Sequence, residues 1–471
     1  MLLRQIREPF LSQYAYLVGC QTTGEAIIID PQRDVDRYFA AAEAEGLRLV
    51  AAAETHIHAD YVSGLRALAE THGLRVYASA ADADWRYEWL EGSDLDFVIL
   101  RDGDTFRLGN VEFDVLHTPG HTPEHLTYLI VDRAVGDQEG MGLLTGDFVF
   151  VGDVGRPDLL ESAAGMAGRM RPAARDLYRS IQQFKTMPVW LQVWPGHGAG
   201  SACGKALGAV PQSTVGYELQ HNASIAAAQH GEETFVDAIL QGQPAPPLYF
   251  ARMKKLNRKG APLLPEVPAP RALSESDLES VAGRPDVTLI DTRPRHRFLD
   301  AHLTGALHAV MDTSFCATVG SYADPEAPVY LIVDDARLDD AVRCLFRIGI
   351  DRIEGFATLD VAEAVLSRSE RHQSIRATDF EEVRRRKDEP GTVVLDVRSR
   401  DEYNQGHIDG ALNIPHTRLR ERLAEIPRDK ELLVHCATGV RSAVASAFLQ
   451  SEGWRVVYVE DDWRGEFGDR R

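Results

Sequence analysis

Three groups of residues in this 471-residue chain have types and spacings that could do chemistry. The first is spread over four segments: His56, His58 and Asp60 in ETHIHADYVSG, His121 in TPGHTPEH, Asp147 in LLTGDFVF and His197 in WPGHGAG. Imidazole nitrogens with carboxylate oxygens suit a borderline divalent metal, and glycines beside three of the segments leave room for side chains to converge. The residue after Asp60 is Tyr61, whose neutral phenol is a poor ligand because its pKa lies near 10. The second group is Cys436 with the loop Ala437, Thr438, Gly439 and Val440 and then Arg441. Backbone N–H groups of such a loop, with a helix N-terminus behind them, form an anion cradle. That field lowers a thiol pKa toward neutrality, and Arg441 adds a full charge. The third is Cys203, six residues past His197 in GHGAGSACGKALG. It is either a thiol that carries sulfur beside the metal or a small buried hydrophobe.

Elements must bring these pieces together. Residues 13–30 predict two strands with a turn at Gly24, and DVDRYFAAAEAEG predicts a helix stopped by Gly46. LRLVAAAETHIHAD is a buried strand that runs into the histidine loop, and DYVSGLRALAETHG is the next helix. DTFRLGNVEFDVLHT, HLTYLIVD and MGLLTGDFVFVGD alternate as antiparallel strands do, and 213–240 is helical. His or Asp at strand ends, with helices outside the sheets, predicts a layered α/β domain. The second group needs the same device: LLVH is a strand ending at Cys436, and Ser442 opens a helix.

Seven prolines fall between 241 and 270 around a basic patch, ARMKKLNRKG, which marks this segment as a linker. Beyond it the chain repeats itself. DTRPRHRFLDAHLTGAL (291–307) and DVRSRDEYNQGHIDGAL (396–412) share seven of 17 positions, each after an apolar strand and before another. The predicted domains are 1–265, 272–370 and 374–471. The first repeat lacks the nucleophile: Asp334 and Asp335 stand where His435 and Cys436 stand in the second. It is expected to be inactive and to serve packing or docking.

The net charge of −20 argues against nucleic acid and anionic membrane surfaces, which need a basic face. No apolar run approaches the roughly 18 residues of a spanning helix, and MLLRQIREPF carries charges where a signal peptide needs an apolar run. The expected location is cytoplasmic. Five scattered cysteines make no disulfide framework. Nothing in the sequence sets the oligomeric state, so a homo-oligomer stays open.

The segments THIHADYVSG, TPGHT, TGD and PGHG resemble the metallo-β-lactamase superfamily over about residues 1–260. The resemblance implies an αββα sandwich, followed by two rhodanese-like α/β domains. In the two-metal hydrolases of the superfamily, His56, His58 and His121 would hold one metal. Asp60, a histidine at position 61 and His197 would hold the second, with Asp147 bridging. Tyr61 leaves that second site one donor short, which favours one metal. The persulfide dioxygenases are the nearer match. Their single Fe(II) would be held by His56, His121 and Asp147, with zinc as the alternative, and His58, Asp60, Tyr61 and His197 would surround it. GRPD at 155–158 also fits that family, with Arg156 either substrate-side or salt-bridged to Asp158. The second repeat resembles the rhodanese sulfurtransferases, in which Cys436 would take sulfur as a persulfide. Cys436 and Arg441 are separated by four residues, where phosphatases of related architecture have five, which favours sulfur over phosphorus. The expected substrates are a small thiol persulfide, O2, and sulfite or thiosulfate, in sulfide detoxification. Two alternatives stay open: a zinc thioester hydrolase of glyoxalase II type fused to a sulfurtransferase, and a sulfur-carrier or sensor scaffold without oxidation.

Overall fold

Gln13–Cys20 reads QYAYLVGC and every one of its residues is buried, as expected of a strand covered on both faces. It is the second strand of a six-stranded sheet that runs in chain order: Leu2–Glu8, Gln13–Cys20, Glu25–Ile29, Arg48–Ala53, Arg75–Ser79, Phe97–Leu100. The computed structural model describes residues 1–79, 86–162, 165, 168–264, 266–463 and 465. A second six-stranded sheet has the order Ser213–Thr214, Gln192–Pro195, Gly142–Gly146, Leu126–Asp132, Val111–His117, Thr105–Leu108. Alternate residues make the two sheets into one core. Tyr16, Val18, Ile27 and Ile29 of the first meet Phe113, Tyr128, Ile130 and Leu144 of the second. The opposite alternates of the first sheet, Leu17, Ile28 and Ala52, pack on Tyr38, Ala42, Leu65 and Leu68 of two helices. Leu143 and Val193 on the outer face of the second sheet pack on Leu177, Ile181 and Phe184 of the helix Met170–Phe184. The result is the expected helix–sheet–sheet–helix sandwich.

Two local expectations change. The helix after the histidine loop is only Leu65–Glu70. Residues 60–64 stay in the loop because Gly64 N–H donates to Pro31 O at 2.8 Å. A Cβ on Gly64 would sit 2.4 Å from Gln32 O, so only glycine allows that approach. The predicted linker contains an eleven-residue helix, Tyr249–Lys259, with Phe250, Met253, Lys254 and Asn257 buried. It belongs to the N-terminal unit, since the chain divides into Met1–Val267 and Pro268–Arg471.

The second unit holds both repeats. Its two five-stranded sheets have the same order: Arg271–Ala272, Ile353–Ala357, Val329–Ile332, Thr288–Asp291, Leu307–His308, and Arg376–Thr378, Arg455–Val459, Glu431–His435, Thr392–Asp396, Leu412–Asn413. The shared Asp-x-Arg has a structural cause. Arg293 pairs with Asp291 at 2.7 Å and donates to Ala301 O at 2.8 Å; Arg398 pairs with Asp396 at 2.6 Å and donates to Gly406 O at 2.8 Å. The repeats also share a core. Ala443, Ala447 and Tyr458 of the second pack with Leu278, Phe298 and Leu303 of the first. No helix among the described residues is long and apolar enough to cross a membrane.

Candidate functional site

Three strand ends of the N-terminal unit deliver side chains to one pocket. Arg48–Ala53 runs into Glu54, Thr55 and His56; Gly142–Gly146 stops before Asp147; Gln192–Pro195 stops two residues before His197. His121 comes from the connection between two strands of the second sheet. Among these, one ligand atom each from His56, His121 and Asp147 lies within 4.8 Å of the others. His56 Nε2 and His121 Nε2 are 4.0 and 3.5 Å from Asp147 Oδ2.

The outer hydrogen bonds assign the imidazole protons. Thr55 Oγ1 donates to Asp30 Oδ2 at 3.0 Å, so at 2.9 Å from His56 Nδ1 it accepts. His121 Nδ1 donates to the Arg156 carbonyl at 3.0 Å, and His197 Nδ1 to the Ser12 carbonyl at 3.3 Å. Each ring therefore carries its proton outward and turns the Nε2 lone pair into the pocket, as a ligand must. Burial, the first cause for each ring, holds all three below the usual imidazole range, so they are neutral at pH 7. Asp147 carboxylate oxygens, Asp60 Oδ2 and His121 Nε2 are buried without a hydrogen-bond partner among the described residues. Burial pushes both carboxyls up to about 6. Such acceptors are costly to leave bare, and a divalent cation would satisfy them together; two imidazoles and a carboxylate fit ferrous iron and zinc alike.

His58 does otherwise. Its Nε2 lies 3.2 Å from Asp30 Oδ1 and its ring stacks on Tyr61 with centroids 4.5 Å apart. Burial opposes its charge, but Asp30, Glu54 and Asp60 outweigh it and raise its pKa to about 9. It is an imidazolium in the wall of the pocket and lies outside the ligand group. The Tyr61 hydroxyl donates to Asp30 O at 3.2 Å, away from a ligand role. Asp60, His197 and Cys203 form a second group with ligand atoms within 4.8 Å, and His197 Nε2 also lies 3.5 Å from Asp147 Oδ1. The sequence left Cys203 open between a sulfur-carrying thiol and a small buried hydrophobe; it is buried, in company with Asp60 and His197. Burial, then Asp147 and Asp60, push its thiol well above the usual range.

The Arg156 guanidinium is engaged within the fold. Its side chain is 1% exposed, binds Asp158 twice at 2.7 Å, and donates to Ala202 O at 3.2 Å and Pro244 O at 2.7 Å. It ties three segments together, and its carbonyl orients His121. Sequence reasoning missed two residues on the helix Tyr249–Lys259. Asn257 Nδ2 donates to His58 O and Tyr61 O at 2.9 and 2.7 Å, clamping the histidine loop. Lys254, a turn earlier, is also buried, and burial pushes its amine below the usual lysine range, opposed in part by Glu124, Cys203 and Asp147. The signal was the spacing of Phe250, Met253, Lys254 and Asn257, which share one helix face.

In the second unit, Cys436 follows the strand Glu431–His435, and Gly439 turns the chain at φ +83° into the helix Val440–Ser451. A Cβ at Gly439 would meet the Tyr458 hydroxyl at 2.3 Å. The loop carbonyls are all held. Ala437 O accepts from Trp463 N at 2.9 Å, Thr438 O from Arg295 Nη1 at 3.3 Å, and Gly439 O from Ser442 Oγ at 3.1 Å. No hydrogen-bond acceptor among the described residues takes the N–H groups of 437–441. Ser442 Oγ donates to Cys436 Sγ at 3.4 Å. Arg441 is committed to Glu402, with bonds of 2.6 and 2.7 Å. In the first repeat the corresponding loop is closed on itself: Asp334 Oδ1 accepts from Ala336 N at 2.9 Å, and residues 335–337 form a short 3-10 turn.

Comparison with known proteins agrees with this geometry. A family model for the metallo-β-lactamase superfamily matches residues 9–197, and one for the rhodanese-like domain matches residues 379–465. The human mitochondrial persulfide dioxygenase ETHE1 is 31% identical over 202 residues, covering 42% of this chain and 68% of its own. A probable polyketide biosynthesis zinc-dependent hydrolase, BaeB, of Bacillus velezensis is 27% identical, covering 44% of this chain and 83% of its own. The crystal structure of a metallo-beta-lactamase from Staphylococcus aureus superposes with a TM-score of 0.67 at 37% identity, over 76% of this chain and 98% of that one. The chain belongs to the metallo-β-lactamase superfamily, with persulfide dioxygenases among its relatives and a rhodanese-like domain fused on its C-terminal side.

Proposed function

We propose that the N-terminal unit oxidises a small thiol persulfide to sulfite and that the Cys436 loop moves sulfane sulfur to give thiosulfate. The first reaction balances as RSSH + O2 + H2O giving RSH, sulfite and two protons. The observation that carries this reading is the group of His56, His121 and Asp147 with both Nε2 lone pairs inward, while the Tyr61 hydroxyl is turned to Asp30. A ferrous ion held there would supply binding for sulfur and O2. The chain's own residues do the rest. His58, whose pKa is raised to about 9 by Asp30, Glu54 and Asp60 against burial, favours entry of a persulfide anion. The neutral His197, 3.4 Å from Asp60, can accept a proton and pass it on. In the second reaction the outer sulfur of a Cys436 persulfide bonds to sulfite. Thiosulfate leaves and the Cys436 thiolate is restored, with no net electron transfer. The same loop can run in reverse and take sulfur from thiosulfate.

One observation favours a second reading. Asp60, His197 and Cys203, with Asp147 between the two groups, could hold a second metal despite Tyr61. Two metals would suit a thioester hydrolase using metal-bound hydroxide, in line with the zinc-dependent relative. Metal analysis with an oxygen electrode separates the two. O2 uptake on adding glutathione persulfide supports oxidation; hydrolysis of an acyl-glutathione by a zinc-loaded enzyme without O2 uptake supports the hydrolase.

A further inference from the structure

We infer that the first repeat completes the sulfur loop of the second, with Arg295 as a positioning residue for Cys436. This rests on the reading that Cys436 carries sulfane sulfur. Arg295 belongs to the repeat without a nucleophile and begins the helix Arg295–Asp300. Its guanidinium reaches across the shared core to the loop: Nη1 donates to Thr438 O at 3.3 Å, Nη2 pairs with Glu460 at 3.4 Å, and its carbon lies 5.9 Å from the centre of the Tyr458 ring. A Cβ at Gly439 would stand 3.0 Å from Arg295 Nη1, so the guanidinium lies directly against the turn.

The consequence follows from the planar trans peptide. The Thr438 carbonyl and the Gly439 N–H belong to one peptide unit and point in opposite directions. Tying the carbonyl to Arg295 therefore turns the Gly439 N–H to the other side of the loop. Trp463 N does the same for the neighbouring unit through Ala437 O, but from within the second repeat. Arg295 is thus the first repeat's contribution to aiming the cradle. Its side chain is 32% exposed and shares its charge with Glu460, as Arg441 shares its own with Glu402. The step it serves conserves electrons. The Cys436 thiolate attacks the outer sulfur of thiosulfate, a new S–S bond forms, and the old one breaks with its electron pair leaving as sulfite. The second repeat's loop is thus built against a repeat that has no nucleophile of its own.

The test uses the full chain with thiosulfate as donor. Sulfur loading of Cys436 is followed by mass in a single turnover, and alkylation of Cys436 by iodoacetamide is mapped at pH 7. Arg295→Ala is expected to slow both roughly tenfold, the loss of one charged hydrogen-bond donor, with O2 uptake and unfolding temperature as in the wild type. Arg295→Lys should recover part of the loss. If Arg295→Ala lowers the unfolding temperature, Arg295→Met, which keeps the stem over Tyr458, decides the matter with the same slow loading expected. Loading and alkylation within twofold of wild type in the Ala variant, or in the Met variant where Ala is destabilised, overturn the inference. Cys436→Ser is the control: if it still takes up sulfur at the wild-type rate, the reading of Cys436 fails instead.

Discussion

The pocket around Asp147 and the loop after Cys436 are made of different materials. At Asp147 the inward-facing atoms are side-chain nitrogens, oxygens and a sulfur from segments up to 147 residues apart, with the His56, His121 and His197 rings each held by a partner behind them. At Cys436 the thiol has the Ser442 hydroxyl beside it at 3.4 Å, and the rest is backbone whose carbonyls are held by Trp463 N, Arg295 and Ser442. The first kind of site is lost when one side chain is changed. The second depends on backbone geometry, and a nucleophile alone does not create it. The first repeat shows this. Its loop lacks the cysteine, and the Asp334 carboxylate also takes a backbone N–H of the turn.

The largest effect should come from removing the carboxylate that faces both ligand groups. Asp147→Asn is expected to lower bound metal and O2 uptake to less than roughly a hundredth of wild type, while thiosulfate still loads Cys436 at full rate. Metal analysis and sulfur loading on the same preparation check it; loss of both activities together would break the separation of the two sites. If the protein were only a sulfur scaffold, His56→Ala would leave every sulfur product unchanged.

Acid should act on the second unit through His435. Burial, partly opposed by Asp396, holds its imidazole down to about 4, against about 6.5 in an unfolded chain. Between these values the unfolded chain takes up a proton that the fold refuses. Stability is therefore intact above about 6.5 and falls as the pH drops toward 4, by on the order of 3 kcal/mol. The melting temperature of wild type should fall more than that of His435→Gln over this window; equal slopes would assign the acid sensitivity elsewhere.

Lys254→Met removes an amine whose charged form Glu124, Cys203 and Asp147 favour against burial, and is expected to raise KM for glutathione persulfide by up to about tenfold and to change kcat less. A kcat defect with unchanged KM would mean that Lys254 serves the chemistry instead. The smallest effect is a null one. Asp335→Cys in a Cys436→Ser background should load no sulfur, because the Asp334 carboxylate still closes the turn; loading there would show that a cysteine suffices.

The candidate metal ligands were legible because strand ends, histidines, aspartates and glycines coincide, and the glycines report close backbone approach. Gly155 and Gly196 would both press on Asp147 if they bore a Cβ. The Cys436 loop was legible because strand, Cys, Gly and helix start lie within a few residues. Lys254 and Asn257 were not, since a run of Arg, Lys and Asn on a helix between prolines looks solvated. Their partners, Glu124 and the histidine loop, lie more than a hundred residues away. Arg156 had two readings, and only three-dimensional neighbours such as Pro244 decide for the structural one. Arg295 carries no local signal at all: its acceptor, Thr438, is 143 residues away.

The most direct test of the central claim is metal content and O2 uptake of anaerobically purified protein given glutathione persulfide. One iron per chain and one O2 consumed for each sulfite formed are expected. Zinc at the site, with acyl-glutathione hydrolysed and no O2 consumed, would contradict it.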